Sequence, residues 1–539
     1  MCVGCNSVKE RNEHSSDSGL RGIAPAALAV LLYLMYSPPF LTDYLMNDEW
    51  GGIGSNPENL LGSAKHSFFY FGRGLYGIYQ SIVYRFVGYD PFRLQCVRFL
   101  NFASLAAIAI VLFRFIEKRS RSGLFAFFVV LFLFSQPSLQ SAMGYSLQLI
   151  SNTQPSMWLS LLAFYLHFFA FRNGGVPGLL RTGAVFFVLI LAMQSTQTYA
   201  FFAMVPLTYL TLTEWDSRKR EILAFLLLAA TAFLLSVMAY KVGLDYWHGL
   251  GHHGYSLGER GVRAAVGHPV KLLLHALNPF AYWGAFEIWS YPFPFHYTLP
   301  FNGRIERYIA SAVLVLWSAL ILGALVAEAG GVGREERRQV IAKWLAVAVC
   351  LGFGAIFLIA DSPLKIKEHR PHMALTFAGV AVFCGAYSLQ VLGSRFRTLG
   401  STFVKSLGIF LVLMSAAGAQ ADVLRGYVNV RMEQLDFIRT ELMADRAAAY
   451  KNIIVVLPDW RGCVTEPCGP WRGHVTEDQS HISREGAYRY AMKTIGISPD
   501  DKEITFVAQR PDEIPKDSVI IDWSKYVSAR KRLGEYLRQ

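Results

Sequence analysis

Long apolar runs punctuated by short charged connectors dominate the first 420 positions. Runs near 22–40, 97–115, 122–139, 155–172, 182–198, 199–214, 221–241, 306–327, 341–360, 371–392 and 404–420 are each long enough to cross a bilayer. They predict about eleven membrane-spanning helices, at 17–25 residues per span. The first run has Pro38-Pro39 near its end and no small-residue cleavage site, so it reads as an anchor rather than a removed signal peptide. The spans on either side of 194–199 are separated by polar residues, and the chain is expected to turn there at the membrane interface. Between the first two spans, 56–68 and 75–88 carry helical periodicity with Tyr and Arg along one edge, as interfacial helices do.

The pattern changes beyond about 440. Stretches 452–458, 503–508 and Ser518–Asp522 are short apolar strands, and His481–Thr494 predicts a helix. The expected architecture is therefore a mostly α, polytopic membrane protein with a small soluble α/β domain at its C-terminal end. The expected division is a cytoplasmic segment 1–21, a transmembrane domain 22–420 with outward loops 41–96 and 242–305, and an α/β domain 421–539.

Composition agrees with that reading. Of 539 residues, 53% are hydrophobic and 17% charged, more apolar surface than a soluble chain of this size needs. The net charge of +12 would suit nucleic acid in a soluble protein. Here the cations cluster between apolar runs, so no nucleic-acid partner is expected. Lys118-Arg119-Ser120-Arg121, Arg172 with Arg181, Arg218-Lys219-Arg220, Arg334 with Arg337-Arg338, and Arg395 with Arg397 fall in alternate connectors. The positive-inside rule places these, and the N-terminus, in the cytoplasm. An odd span count then puts the C-terminal domain on the outward side. The short connectors, with no eukaryotic-type targeting signal in view, fit a bacterial inner membrane with that domain in the periplasm. Cys463 and Cys468 flank a Pro-containing turn on that face, and either a local disulfide or two free thiols fits their spacing.

Chemistry-bearing residues gather on the outward connectors. Asp48 and Glu49, with Trp50 beside them, follow the first span. A carboxylate at that height can take a proton from an attacking hydroxyl, and an indole can pack on a sugar face or the interface. A solvated loop is the plainer account of the pair. Arg73, between Gly72 and Gly74, can hold a phosphate bidentately or reach lipid headgroups. The outward connector 361–370 carries Lys365, Lys367, His369 and Arg370, against the charge rule, and an anionic ligand or anionic lipid explains positive charge on that side. His252 and His253 lie in an aromatic-rich loop that reads as a cover over a substrate cavity, with no metal-ligand spacing. Asn152, Gln154, Gln194, Gln197 and Tyr199 sit at outward span ends, where they can bond sugar hydroxyls or cap helices.

With these residues in place, the chain resembles the GT-C superfamily of polyprenyl-phosphate-dependent membrane glycosyltransferases, most of all the bacterial branch of O-antigen glucosyltransferases and protein mannosyltransferase-like enzymes. The carriers of the resemblance are "NDEW" after the first span, "FGRGLYGIYQSIVYRFVGYDPFRLQCVRFLNF", "STQTYAFFAMVPLTYL" and "KEHRPHMAL". It covers 22–420 in layout and short motifs in sequence. The pair is Asp-Glu where the nearer branch often has Asp-Asp, which leaves open which carboxylate is the base. The resemblance implies a sugar donor on a polyprenyl phosphate and an acceptor that is a glycan, a lipid-linked oligosaccharide or a protein. It implies Asp48 or Glu49 as base, and Arg370, His369, Lys367 and Arg73 around the leaving phosphate. With a basic cluster in that role, no cofactor and no metal are expected. A multi-pass transporter or flippase for a lipid-linked glycan is the alternative.

Overall fold

The computed structural model describes residues 22–41, 60–120, 122–135, 139, 147, 149–170, 178–249, 303–330, 332–361, 375–395, 430–444, 447–456, 481–507 and 510–523. The chain is mostly helical. Helix α1 (Gly22–Tyr36) leads to a 3-10 turn (Pro38–Leu41). After it come α2 (Leu60–Phe71), α3 (Gly74–Val87), α4 (Pro91–Ser120), α5 (Gly123–Phe134) and α6 (Gln154–Tyr165), the last flanked by π-turns Leu149–Thr153 and Leu166–Ala170. Next are α7 (Gly178–Ser195), the short α8 (Gln197–Ala200), α9 (Met204–Gly249), α10 (Gly303–Ala329), α11 (Arg334–Asp361) and α12 (Leu375–Arg395). Among the described residues, five helices are long and apolar enough to cross a membrane, and shorter apolar helices accompany them. The expected span 404–420 lies outside the described residues, so eleven crossings are not established.

Helix boundaries follow local chemistry. Pro91 opens α4, and the Asp90 carboxylate caps it, accepting from the Phe92 and Arg93 N–H groups at 2.9 and 3.2 Å. Ser122 caps α5 by accepting from Phe125 N–H at 3.2 Å. Within α9 the backbone leaves helical geometry at Glu214. On either side the chain runs antiparallel: Phe201 meets Phe233, with ring centroids 5.7 Å apart. In a continuous helix those residues would stand roughly 48 Å apart, so α9 is a hairpin, as the separate runs 199–214 and 221–241 predict. The reversal falls beside Arg218-Lys219-Arg220, the charged break between the two apolar runs.

The basic connectors meet at one end of the bundle. Glu214 bridges Arg119 at 2.8 Å and Arg218 at 2.9 Å. The Arg119 guanidinium stacks on Phe115, 4.0 Å from the ring centre. Arg181 donates to the His167 carbonyl, and Lys219 donates to Gln339 at 3.2 Å. Four of the connectors assigned to a single face by charge are thus neighbours in space.

Small residues let the helices approach, as in membrane bundles generally. Gly385 faces Trp317 and Gly354 faces the Phe377 backbone, while Trp317 Nε1 donates to Ala381 O at 3.1 Å. Helices α2 and α3 form a tight hairpin. A Cβ at Gly77 would lie 2.2 Å from the Ser63 carbonyl oxygen and 2.5 Å from Ser67 Oγ. Gly77→Val is expected to part the hairpin at a loss of about 1–3 kcal/mol, seen as a lower melting temperature of the detergent-solubilised protein; unchanged melting would mean that the two helices are not in this contact.

The C-terminal module holds α13 (Val430–Ala444), β1 (Asn452–Val456), α14 (His481–Thr494), β2 (Glu503–Val507) and β3 (Ser518–Asp522). The sheet order is β2-β1-β3, with both pairings parallel. A central parallel strand is covered on both faces, which is why Ile453, Ile454, Val455 and Val456 form an unbroken apolar run. Cys463 and Cys468 lie outside the described residues.

Candidate functional site

The end of the bundle opposite the basic connectors is polar inside. Helix α2 ends in a left-handed cap: Gly72 has φ +72° and its N–H donates to Phe68 O at 2.7 Å. A side chain there would meet the Tyr240 ring at 2.9 Å and Gln197 Nε2 at 3.2 Å. Only glycine fits both the conformation and the space. Arg73 follows as the N-cap of α3 and makes no side-chain cap bond. The Gly74 N–H donates instead to Gln194 Oε1 at 3.0 Å. Gln194→Ala is expected to strip this cap at about 1 kcal/mol, lowering the melting temperature; an unaltered value would show that water replaces the amide fully.

The layer beneath is buried. Tyr199 bonds the Thr153 side chain and lies within electrostatic reach of Arg73. Asn152 Oδ1 accepts from Ser151 Oγ at 2.9 Å, and its carbonyl accepts from Thr196 Oγ1 at 3.0 Å. Gln154 Nε2 donates to the Asn101 carbonyl at 2.7 Å. One turn before Asn101, the buried Arg98 donates through Nη1 to the Pro39 carbonyl at 2.6 Å. The irregular chain at 196–203, which overlaps the turn that sequence predicts at 194–199, is served by α6. Ser156 Oγ donates to Ala192 O and Thr196 O at 3.0 and 2.8 Å; Ser160 Oγ donates to Ala200 O at 2.7 Å and accepts from Ala203 N–H at 2.8 Å. Non-helical backbone at this depth needs such partners.

Of the predicted site residues, Arg73, Asn152, Gln154 and Gln197 are described and all lie at this end, Arg73 in the turn, Gln197 next to it and the other two beneath. Asn152 and Gln154 direct polar atoms to backbone and neighbouring side chains, the helix-end role that their positions allow. Asp48, Glu49, Trp50, His252, His253, Lys367, His369 and Arg370 lie outside the described residues. The described chain nonetheless leads to and from them at this end. Pro39, before the acidic pair, rests on Arg98. Gly243, near the end of α9 and the start of the His252 loop, packs on Phe68. Thr376, just past the basic cluster, donates to Thr198 O at 3.3 Å. Among the described residues no group of three His, Cys, Asp or Glu side chains is placed to hold a metal.

Another cluster escaped the sequence reading. Glu328 of α10 pairs with Lys343 of α11 at 2.7 Å and accepts from Trp344 Nε1 at 2.9 Å and Tyr387 Oη of α12 at 2.5 Å. Lys343 also lies over the Tyr387 ring, 5.3 Å from its centre. The one available signal was a lysine inside the apolar run 341–360.

No protein-family model matches the chain, and comparison with curated proteins found no match.

Proposed function

We propose that the chain is an inverting membrane glycosyltransferase that moves a sugar from a polyprenyl-phosphate donor to an acceptor hydroxyl at the outer face of a bacterial inner membrane. In this reading about eleven spans cross the bilayer, the N-terminus and the basic connectors are cytoplasmic, and the α/β module is periplasmic. One observation carries the reading. The segments running to the acidic pair, to the His252 loop and from the Lys367–Arg370 cluster all end on the polar layer that holds Arg73. In this reading the basic and acidic candidates gather at that end of the bundle, where a donor anchored by its tail presents its headgroup.

In the proposed step, Asp48 or Glu49 takes the proton of the acceptor hydroxyl, whose oxygen attacks the anomeric carbon. The bond from that carbon to the phosphate oxygen breaks, and its electron pair leaves with the lipid phosphate. Arg370, His369, Lys367 and Arg73 neutralise the phosphate as it departs. Trp50, Gln197, His252 and His253 line the sugar and acceptor side, while Asn152 and Gln154 hold the backbone behind it. The acceptor is a glycan, a lipid-linked oligosaccharide or a protein, and no cofactor enters the step.

Transport or flipping of a lipid-linked glycan is the second reading, and the buried Glu328–Lys343 pair favours it, since ionisable groups inside a membrane bundle often mark a conduction path. Radiolabelled polyprenyl-phosphate sugars offered to the protein in membranes with glycan extract separate the two. Label transferred by the wild type and lost in Arg370→Ala supports the transferase. Label crossing the membrane without any transfer overturns it.

A further inference from the structure

We propose that the C-terminal α/β module is a positioning element for the 72–74 turn, acting through α3, with Tyr84 and Val87 as the residues that transmit its hold. Its functional consequence rests on the reading of Arg73 as a phosphate-binding group.

Helix α3 is 14 residues long, or roughly 21 Å, and its two ends belong to different bodies. At the C-terminal end, Tyr84 and Val87 are buried in one apolar cluster with Leu435, Ile438, Tyr488 and Trp523 of the module. Leu94 and Val97 at the start of α4 join the same cluster. Between them the chain turns at Gly88, whose φ of +50° permits its N–H to reach Tyr84 O at 2.8 Å. Tyr89 then enters the module beside Arg489, Glu485 and Asp500. Burial pushes its phenol above the usual range, Arg489 opposes the shift, and the two carboxylates add to it. The module is therefore not a tethered tail: α3 and α4 supply part of its core.

At the other end α3 carries Arg73 as N-cap, with Gly74 held by Gln194. The first turn of the helix is joined to α2 at Gly77 with no room for a methyl group, so the pair moves as one close-packed body. Its outer face is open: Ile82 and Phe86 are about half exposed. A rigid helix seated at both ends and open along one side carries a displacement of one end to the other. Loss of the module's hold at Tyr84 and Val87 then tilts α3 and moves the Arg73 guanidinium.

Hydrogen–deuterium exchange on the full chain in lipid nanodiscs tests this. Tyr84→Ala and Val87→Ala vacate the shared core, Val87→Ile keeps it filled, and Ile82→Ala changes only the open face. The expected result is several-fold faster exchange at 72–76, as well as at 84–97, in the first two variants and in neither control. Faster exchange confined to 84–97 and the module, with 72–76 unchanged, overturns the proposal. Should Tyr84→Ala loosen the whole chain, Val87→Ala, which removes two methyl groups, decides the matter alone. Where transfer is measured, KM for the donor rises several-fold in Val87→Ala, kcat is preserved, and Val87→Ile restores KM. A wild type that transfers no sugar removes the role of Arg73 but leaves the exchange result intact, so the two failures are distinguishable.

Discussion

Asp48→Asn or Glu49→Gln, whichever removes the base, is expected to lower sugar transfer by about 10²–10⁴-fold with no change in melting temperature. The magnitude follows from the role. An alcohol is a poor nucleophile until its proton leaves, and an amide isosteric with the carboxylate cannot take that proton. The sign of the stability effect separates this role from a structural one, because an amide in a solvated loop replaces the carboxylate at little cost. The two variants must also differ. Only one carboxylate can lie in line with the attacking hydroxyl, so its neighbour's amide should retain most of the rate and alter the pH profile through the lost charge. Equal, small losses in both variants would show a loop that only solvates the interface, and the transferase reading would lose its base.

The mostly helical architecture was legible in part because long apolar runs and charged breaks mark where helices begin and end. Charges must surface, so Arg218-Lys219-Arg220 marked the reversal of α9 before any contact was seen, and Glu214 sits at that reversal bridging Arg119 and Arg218. Period and turn chemistry likewise marked His481–Thr494 and Ser518–Asp522, which fold with those bounds. What the pattern could not reveal is contact between distant elements. The stretch 75–88 reads as an interfacial helix with Tyr and Arg along one edge, with no sign that Tyr84 and Val87 belong to the core of a module some 350 residues later. The polar residues at span ends were visible as a set, but not their division of labour: Gln194 caps α3, while Gln154 holds the Asn101 carbonyl. The choice between capping and ligand binding depends on which backbone groups lie opposite, and sequence does not contain that. The convergence of Pro39, Gly243 and Thr376 on the end that holds Arg73 was implied only by the alternation of faces.

Glu328→Ala is expected to destabilise the bundle by about 3–5 kcal/mol, the penalty for breaking one side of a buried ion pair. Glu328 and Lys343 are each only slightly exposed, and the carboxylate also serves Trp344 Nε1 and Tyr387 Oη. Its removal leaves an ammonium and two further donors facing apolar helices. The double variant Glu328→Ala/Lys343→Met should recover much of the loss, because no uncompensated charge remains and the methionine fills the lysine stem's volume. Equilibrium unfolding in mixed micelles reads both. A double variant as unstable as the single one would mean that the Trp344 and Tyr387 bonds, rather than the charge pair, hold α10, α11 and α12 together. The double variant also decides what the pair is for. A clamp between helices can be replaced by apolar packing, so sugar transfer should persist in a protein of near-normal stability. A conduction path needs the ionisable groups themselves: a stable double variant that neither transfers sugar nor moves lipid-linked glycan would shift the assignment from transferase to transporter.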